Sequence, residues 1–415
     1  MREDIKKHIG MIQKGEVPEG YKKTKVGIIP MDWNIKDFGS LCSSKSGKYN
    51  ANADKKFVKC IELENIVPNQ GMINGYFNGA ELESTKNVFE KNNVLYGKLR
   101  PYLRKYYHTQ CNGVCSSEIW VLKPKKTISS YYLYLLVQSD KFNQLTNLSC
   151  CGSKMPRADW EYVEQTLYPI PAPEEQEKIV KCIMNYEKKV EKLDSLINQK
   201  KKYKKGLMQD LLTGNSRLKC FDSEWKKEKL GKLFSERSET NMIDSELLSI
   251  TSTGIIPRSE IEGKDNSSED KSKYKKIYVG DIGYNTMRMW QGVSAYSNYE
   301  GIVSPAYTIL KPKDNVDAKF FSYLFKLPSI VFMFYRYSQG LVDDTRNLKY
   351  ENFKKIKLNI PTDIEEQKAI AKILSQADKE IELLQQQLEQ IKLEKKAMMQ
   401  LLLTGIVRVN QKGGE

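Results

Sequence analysis

The stretch KKGLMQDLLTGNSRL at residues 204–218 decides the fold, because almost the same sequence returns as KKAMMQLLLTGIVRV at residues 395–409. At an offset of 191, residues 174–217 and 365–408 agree at 19 of 44 positions. Both copies begin with EEQ, and both contain LLTG near their end. Repetition on this scale predicts that the chain carries one structural unit twice.

The repeat extends into the segments that precede these two stretches. Trp33 matches Trp225, and NGVCSSEIWVLKP at 112–124 aligns with EGIVSPAYTILKP at 300–312. Each copy is therefore predicted to be a globular domain followed by a long helix. The predicted boundaries are an N-terminal segment 1–17, a first domain 18–172, a central helix 173–217, a second domain 218–361, a C-terminal helix 362–410 and a tail 411–415.

Apolar residues of both helices alternate four and three positions apart, which is the pattern of a coiled-coil seam. Since the first helix leads into the second domain, the second helix can align with it only by running antiparallel. Gly214 and Gly405 stand where C-terminal caps are expected. The alternative is two amphipathic helices that lie on separate cores. The predicted seam residues are Ile179, Ile183, Val190, Leu193 and Ile197 in the first helix and Ile370, Leu374, Ile381, Leu384 and Leu388 in the second.

The charge balance favours a polyanionic partner. The 415 residues include 67 Lys and Arg against 52 Asp and Glu, which gives a net charge of +15 and a pI near 9.1. Nucleic acid is the usual partner of such a chain. No apolar run of about 18 residues occurs, and the start lacks the apolar stretch of a signal peptide. We therefore expect a cytoplasmic protein with no membrane partner.

The cysteines and the two histidines do not form a recognisable disulfide or metal-binding pattern. Eight cysteines in a cytoplasmic chain are expected to be reduced. His108, Cys111 and Cys115 could supply three metal ligands, but no fourth ligand follows at the spacing of a zinc site. We predict no metal centre.

Two equivalent stretches interleave basic and aromatic side chains in the manner of a nucleic-acid surface. They are GKLRPYLRKYY at 97–107 and YNTMRMWQG at 284–292. Their side chains differ, as expected if each copy reads a different short sequence. The alternative is a strand with exposed basic residues and a buried Trp. The candidate DNA-binding residues are Lys98, Arg100, Tyr102, Arg104, Lys105, Tyr107, Lys154 and Arg157 in the first copy, and Asn285, Arg288, Trp290, Gln291 and Arg346 in the second.

The two-copy layout, both helix endings and the motifs KTKVGIIPMDW at 23–33 and GIVSPAYTILKP at 301–312 together resemble the specificity subunit of type I restriction–modification systems. The first copy departs from the pattern, with GVCSSEIW in place of GIVSPAY. The resemblance implies two α/β (α+β) target recognition domains separated by two long antiparallel coiled-coil helices, with a pseudo-two-fold internal repeat.

The same resemblance implies a function in a larger complex. Each target recognition domain is expected to read one half of a bipartite site in double-stranded DNA. The paired helices would set the spacing and dock two methyltransferase subunits, through which restriction or translocase subunits could join. S-adenosylmethionine, ATP and Mg²⁺ are expected on those partners, and this chain is expected to bind no cofactor.

The residues themselves suggest no catalysis by this chain. An adenine methyltransferase loop of the type Asn/Asp-Pro-Pro-aromatic does not occur, nor does G-x-x-x-x-G-K-[ST]. Asp363, Glu366 and Lys368 crowd a helix start, where a capping box would account for the carboxylates. The alternatives are a stand-alone bipartite DNA-binding regulator and a coiled-coil scaffold for proteins.

Overall fold

The computed structural model describes residues 3–50, 57–152, 154–241, 245–251, 254–263 and 267–409. Their contacts divide the chain into two compact units. Unit 1 consists of residues 1–192 and 388–415, and unit 2 consists of residues 193–387. Unit 1 is thus built from two separate segments of the chain, whereas unit 2 is built from one.

Most helices of the two units are short, but two helices have 41 and 40 residues. In chain order they are α1 Glu3–Gln13, α2 Phe38–Leu41, α3 Ser130–Gln138, α4 Asp140–Leu148, α5 Trp160–Glu164, α6 Pro173–Thr213, α7 Leu230–Leu233, α8 Ala318–Leu324, α9 Pro328–Tyr337, α10 Tyr350–Phe353 and α11 Ile364–Leu403.

The strands are two to six residues long. Those of unit 1 are β1 Tyr21–Thr24, β2 Gly27–Pro30, β3 Asn34–Asp37, β4 Cys42–Ser43, β5 Lys48–Tyr49, β6 Lys59–Ile61, β7 Phe77–Asn78, β8 Lys86–Phe89, β9 Val94–Gly97, β10 Tyr106–His108, β11 Gly113–Cys115, β12 Ile119–Pro124 and β13 Leu167–Ile170. Those of unit 2 are β14 Lys226–Lys229, β15 Phe234–Arg237, β16 Leu248–Ile250, β17 Ile255–Pro257, β18 Lys275–Ile277, β19 Ile282–Asn285, β20 Ser294–Tyr296, β21 Gly301–Val303, β22 Tyr307–Pro312 and β23 Lys357–Ile360.

The central sheets of the two units repeat each other strand for strand. In unit 1 the order is β10-β9-β12-β4, and in unit 2 it is β20-β19-β22-β15. All pairings are antiparallel, with Trp120 opposite Tyr96 in unit 1 and Thr308 opposite Tyr284 in unit 2. Each unit also contains a separate two-stranded antiparallel sheet, formed by β13 with β3 in unit 1 and by β23 with β14 in unit 2. The predicted internal repeat is therefore confirmed at the level of topology.

Each unit has a large aromatic core between its sheet and its short helices. Trp33, Phe38, Tyr96 and Phe142 are almost completely buried in unit 1, as are Phe234 and its neighbours from α8, α9 and α10 in unit 2. Removing an aromatic side chain of this kind from water contributes on the order of 2–3 kcal/mol. These cores hold in place the loops at the ends of β9 and β19.

Helices α6 and α11 run antiparallel beside one another within each unit. In unit 1, Lys395 pairs with Glu187 at 2.8 Å, and Arg408, just past the end of α11, reaches Glu175 at the start of α6. In unit 2, Lys200 pairs with Glu380 and Lys204 with Asp378. In both units the residue number falls on one helix as it rises on the other, so the predicted antiparallel pair is confirmed.

The predicted seam residues are not equally buried along the two helices. Seven of its predicted residues are buried, whereas Val190, Leu193 and Leu384 are half-buried. At the ends the seam joins the domain cores: Ile179 and Ile183 pack in the core of unit 1, and Ile370 and Leu374 pack in that of unit 2. The helices therefore pair with each other, as predicted, and their ends in addition pack on the domain cores.

Glycine ends both helices as predicted. Gly214 has φ +77° and Gly405 has φ +75°, the left-handed conformation of a C-terminal cap. At Gly405 a Cβ would lie 2.5 Å from Cδ of Pro30, so the close approach of the β2 hairpin also requires glycine here. No helix within the described ranges is both long enough and apolar enough to span a bilayer.

Candidate nucleic-acid interface

The two basic–aromatic stretches show the same order of elements in both units, although the backbone differs at the arginine, with φ +51° at Arg100 and −127° at Arg288. In unit 1, β9 leads into a 3-10 turn at Pro101–Leu103, and in unit 2, β19 leads into a 3-10 turn at Met289–Gln291. An arginine immediately precedes each turn, Arg100 in one and Arg288 in the other. Both arginine side chains are exposed. The offset of 188 that aligns 112–124 with 300–312 also aligns Arg100 with Arg288, although the flanking residues differ.

Backbone hydrogen bonds fix the turn of unit 1 against a second loop. The amide of Arg100 donates to the carbonyl of Pro156 at 2.8 Å, and the amide of Ala158 donates to that of Lys98 at 2.9 Å. Arg100 has φ +51°, a conformation that costs an L-residue roughly 1–2 kcal/mol. The surrounding hydrogen bonds hold it there, and the loop of Lys154 and Arg157 lies beside the turn.

The predicted residues of unit 1 separate into exposed and internally bonded side chains. Arg100, Tyr102 and Lys154 are exposed, and Lys98 is half-buried. Arg157 is exposed but forms a bidentate ion pair with Glu118, whose carboxylate raises the pKa of the guanidinium. The structure therefore brings Arg100, Tyr102 and Lys154 together with Lys98 and Arg157 on one surface.

Three other predicted residues of unit 1 face the interior. Arg104 donates to Asp140 at 2.7 Å and to the carbonyl of Gln138 at 2.6 Å. Lys105 donates to the carbonyl of Leu63 at 2.6 Å, and burial lowers the pKa of its ammonium group. Tyr107 is half-buried, and burial raises the pKa of its hydroxyl. Their contacts are structural, so the reading surface is smaller than the composition of this stretch suggests.

One of these two backbone bonds recurs in unit 2, whereas the amide of Arg288 donates to the carbonyl of Asn285 within the turn. The amide of Leu348 donates to the carbonyl of Thr286 at 2.8 Å, which matches the bond from Ala158 to Lys98 in unit 1. The side chain of Asn285 accepts from the amide of Met287 at 3.0 Å and so shapes the turn itself. Arg288 and Gln291 are exposed. Asn285 is thus occupied by its own backbone, while Arg288 and Gln291 face outward.

An aromatic cluster supports this turn. Trp290 is half-buried, donates to the carbonyl of Met287 at 2.9 Å and packs edge-on against Tyr335 of α9, with ring centroids 6.1 Å apart. Arg346 lies over the Tyr335 ring, with its Cζ 4.0 Å from the centroid, and donates to the Tyr335 hydroxyl at 2.9 Å. The sequence analysis missed Tyr335, because this residue lies more than 40 residues from the turn in the chain.

A second missed feature is a buried Trp–Glu–Arg cluster at the start of each long helix. In unit 1, Glu175 accepts from the Trp33 indole at 3.0 Å and from Arg408 at 3.0 and 2.6 Å. In unit 2, Glu366 accepts from Trp225 at 3.2 Å and from Arg217 at 3.0 and 2.7 Å. The repeated signal was present in the sequence, since each of these three residues has its counterpart in the other copy.

This cluster corrects the capping box predicted for α11. The side chain of Asp363 does accept from the amide of Glu365 at 2.8 Å, as an N-cap residue should. The carboxylate of Glu366, however, is fully buried and accepts from Arg217 and Trp225. Capping was therefore the wrong explanation for Glu366.

The glutamine of the EEQ motif has the same kind of hydrogen-bond partners in both units. The side chain of Gln176 accepts from the amide of Ser129 at 2.9 Å and donates to the carbonyl of Pro171 at 3.1 Å. Gln367 does the same with the amide of Asp317 at 2.8 Å and the carbonyl of Pro361 at 3.0 Å. Each glutamine thus ties the start of a long helix to the adjacent domain, which explains why the motif occurs twice.

The structure gives His108 and its neighbouring cysteines no common site. His108 lies within hydrogen-bond distance of Ser130 at 2.8 Å and of Gln110 at 3.1 Å, and burial lowers its pKa. Cys111 is exposed, whereas Cys115 is buried. No group of three metal-binding side chains occurs in the part of the chain that the structure describes.

Comparison with known proteins places this architecture in a class. The family model for the type I restriction modification DNA specificity domain matches twice, at residues 30–201 and 222–393. A putative type I restriction enzyme MjaX specificity subunit from Methanocaldococcus jannaschii is 24% identical, over 94% of this chain and 97% of its own.

Two solved structures share the fold. A chain from a study of complex assembly and conformational transition in the type I R-M system has a TM-score of 0.61 at 18% identity, over 91% of this chain and 99% of its own. The S subunit of a type I restriction-modification system from M. genitalium has a TM-score of 0.55 at 14% identity, over 89% of this chain and 96% of its own.

These matches define the class as proteins with two tandem DNA target recognition domains. The two domain matches together span most of the chain. The chain belongs to the family of type I restriction–modification specificity subunits. The predicted family and fold class are confirmed.

Proposed function

We propose that this chain gives sequence specificity to a type I restriction–modification complex, with unit 1 reading one half of a bipartite site in double-stranded DNA and unit 2 reading the other. The observation that carries the proposal is the repeated turn with its exposed arginine, Arg100 in unit 1 and Arg288 in unit 2. A guanidinium can bind the O6 and N7 acceptors of guanine in the major groove with two hydrogen bonds. The supporting side chains differ between the units, which suits two different half-sites.

The long helices are assigned the spacing and docking roles. Their inner faces are used against each other and against the cores, whereas Glu174, Lys181 and Leu393 on other faces are exposed. Two equivalent outer faces fit two copies of one methyltransferase subunit. Restriction or translocase subunits would join through these, and S-adenosylmethionine, ATP and Mg²⁺ would be bound by the partners and not by this chain.

The decisive experiment is the methylome of a host that carries this chain with its methyltransferase partner. We expect methylation at a split, asymmetric sequence that disappears when this chain is deleted. The mass of the co-purified complex should correspond to two methyltransferase subunits for each chain. A stand-alone regulator would instead bind a bipartite site tightly without the methyltransferase and leave the methylome unchanged, and a protein scaffold would have no DNA affinity with or without it.

A further inference from the structure

A leucine beside the reading turn of unit 2 is fully open to solvent. The side chain of Leu341 is 100% exposed and that of Val342 is 59% exposed. Across the described residues no other large apolar side chain is as exposed as Leu341. The two residues lie in the loop 340–346, between α9 and α10.

This loop is held in one shape. Its flanking residues Gln339 and Asn347 exchange two backbone hydrogen bonds of 2.8 Å each. Gly340 has φ +139°, and a Cβ there would lie 2.7 Å from the carbonyl oxygen of Thr345. Arg346 closes the other end by donating to Asp343 at 2.9 Å. The exposure of Leu341 therefore belongs to an ordered loop with both ends fixed.

The C-terminal end of the loop is connected to the turn that carries Arg288. Leu348 donates to the carbonyl of Thr286, two residues before that arginine. Arg346 rests on Tyr335, which packs against Trp290 in the turn itself. Arg346 and Leu348, at the C-terminal end of the loop, thus connect it to the turn.

The chemistry of the major groove offers one apolar group, the C5-methyl of thymine, among donors and acceptors. We propose that the loop tip lies against a duplex bound at Arg288 and that Leu341 recognises a thymine methyl group in the half-site read by unit 2. The inference rests on the proposed function and adds a specificity-determining residue to it. Since Leu341 has no packed neighbours to lose, its replacement should leave the fold of unit 2 intact.

The test is a thermodynamic cycle between protein and DNA. The full complex, containing this chain and its methyltransferase partner, is bound to duplexes of the methylome-defined site. Each thymine in the half-site assigned to unit 2 is replaced in turn by deoxyuridine, which lacks only the methyl group. With wild-type protein, one replacement should weaken binding about fourfold, the effect of one buried methyl group.

The variant Leu341→Ala should bind the thymine duplex about as weakly as wild type binds that deoxyuridine duplex, and should be insensitive to the replacement. The matched control is Val279→Ala. Val279 is 61% exposed, and it lies before β19, at the opposite end of that strand from the reading turn. This control should keep the full response to deoxyuridine.

Three results would overturn the inference. In the first, no deoxyuridine replacement weakens binding by the wild-type complex. In the second, the losses of binding free energy from Leu341→Ala and from deoxyuridine are additive. In the third, Leu341→Ala loses its methyltransferase partner while its DNA preference is unchanged. Failure of the proposed function itself would look different, because the wild-type complex would then prefer no site over random DNA.

Discussion

Arg408 and Glu175, which are 233 residues apart in the chain, form a two-point ion pair with N–O distances of 3.0 and 2.6 Å. Glu175 is 5% exposed and also accepts from the Trp33 indole. Arg408 shares its guanidinium with Asp32, and these carboxylates raise its pKa. The end of the chain is thereby fastened to the first domain.

We predict that Arg408→Ala destabilises unit 1 by about 3–5 kcal/mol, because it leaves a buried carboxylate without its cation. Urea unfolding followed by circular dichroism would measure the loss. The double variant Arg408→Ala/Glu175→Gln is the control, and it should recover much of the loss, since a neutral amide needs no cation. A cost below about 0.5 kcal/mol would show that the pair behaves like an exposed surface ion pair.

Replacing Arg288 should affect one half-site only. Arg288→Ala should weaken recognition of the half read by unit 2 by about tenfold to a hundredfold, the range for a lost bidentate contact to a base. Arg100→Ala should do the same at the other half. Binding to duplexes with one half-site randomised would measure each effect.

The conservative variant Arg288→Lys separates base reading from phosphate binding. Lysine keeps the charge but cannot form the paired hydrogen bonds to guanine. We expect it to lose discrimination almost as fully as alanine does. Wild-type discrimination in Arg288→Lys, or equal losses at both half-sites from Arg288→Ala, would instead identify a phosphate contact.

Lys326 should make the stability of unit 2 depend on pH. Burial lowers its pKa to about 8, and its ammonium group donates to the carbonyls of Gly292 and Ser294 beside the reading turn. Between pH 8 and the ordinary lysine pKa near 10.5, Lys326 binds more protons in the unfolded chain than in the folded one. The free energy of unfolding of unit 2 should therefore increase as the pH rises through this range.

Comparison with Lys326→Met isolates that contribution from the other groups that titrate in the same range. The unfolding free energy of wild type, relative to that of the variant, should increase by up to roughly 3 kcal/mol from pH 7 to pH 10.5. The measurement is urea unfolding at intervals of half a pH unit. A constant difference, or one that falls as pH rises, would contradict the prediction.

The proposed spacing role of the helices predicts the effect of lengthening both. One heptad inserted after Lys192 in α6 and one after Gln387 in α11 would keep the seam in phase and add about 10 Å to each helix. The complex should then read the same half-sites across a spacer longer by about three base pairs, at 3.4 Å each.

Methylome sequencing would decide this point as well. The control is a heptad inserted in α6 alone, which should disrupt the pairing and abolish methylation. An unchanged spacer in the double insertion, or altered half-site bases, would show that the helices do not set the distance.

The parts of the fold that could be predicted from sequence depend on local or repeated signals. The seam follows from a spacing of three and four residues, and Gly214 and Gly405 follow from the need for a left-handed cap. The equivalence of the two domains follows from matched segments such as 112–124 and 300–312.

The parts that could not be predicted depend on long-range pairing. Composition makes Arg100 and Arg104 equal candidates, yet Arg104 pairs with Asp140 while Arg100 is exposed, and no residue close in sequence indicates this. Glu366 resembles a capping residue until Arg217 and Trp225 reach it through the fold. Composition therefore proposes candidate residues, and the fold shows which of their side chains are exposed.

The division of unit 1 into two chain segments has a consequence for synthesis on the ribosome. Unit 2 is contiguous, so every residue of its core has been made before the last part of α11 appears. The core of unit 1 includes Met399, Leu402 and Leu403, which are translated after every residue of unit 2. Of the two units, the one that begins to emerge first is therefore completed last, and Glu175 lacks its arginine partner until Arg408 leaves the exit tunnel.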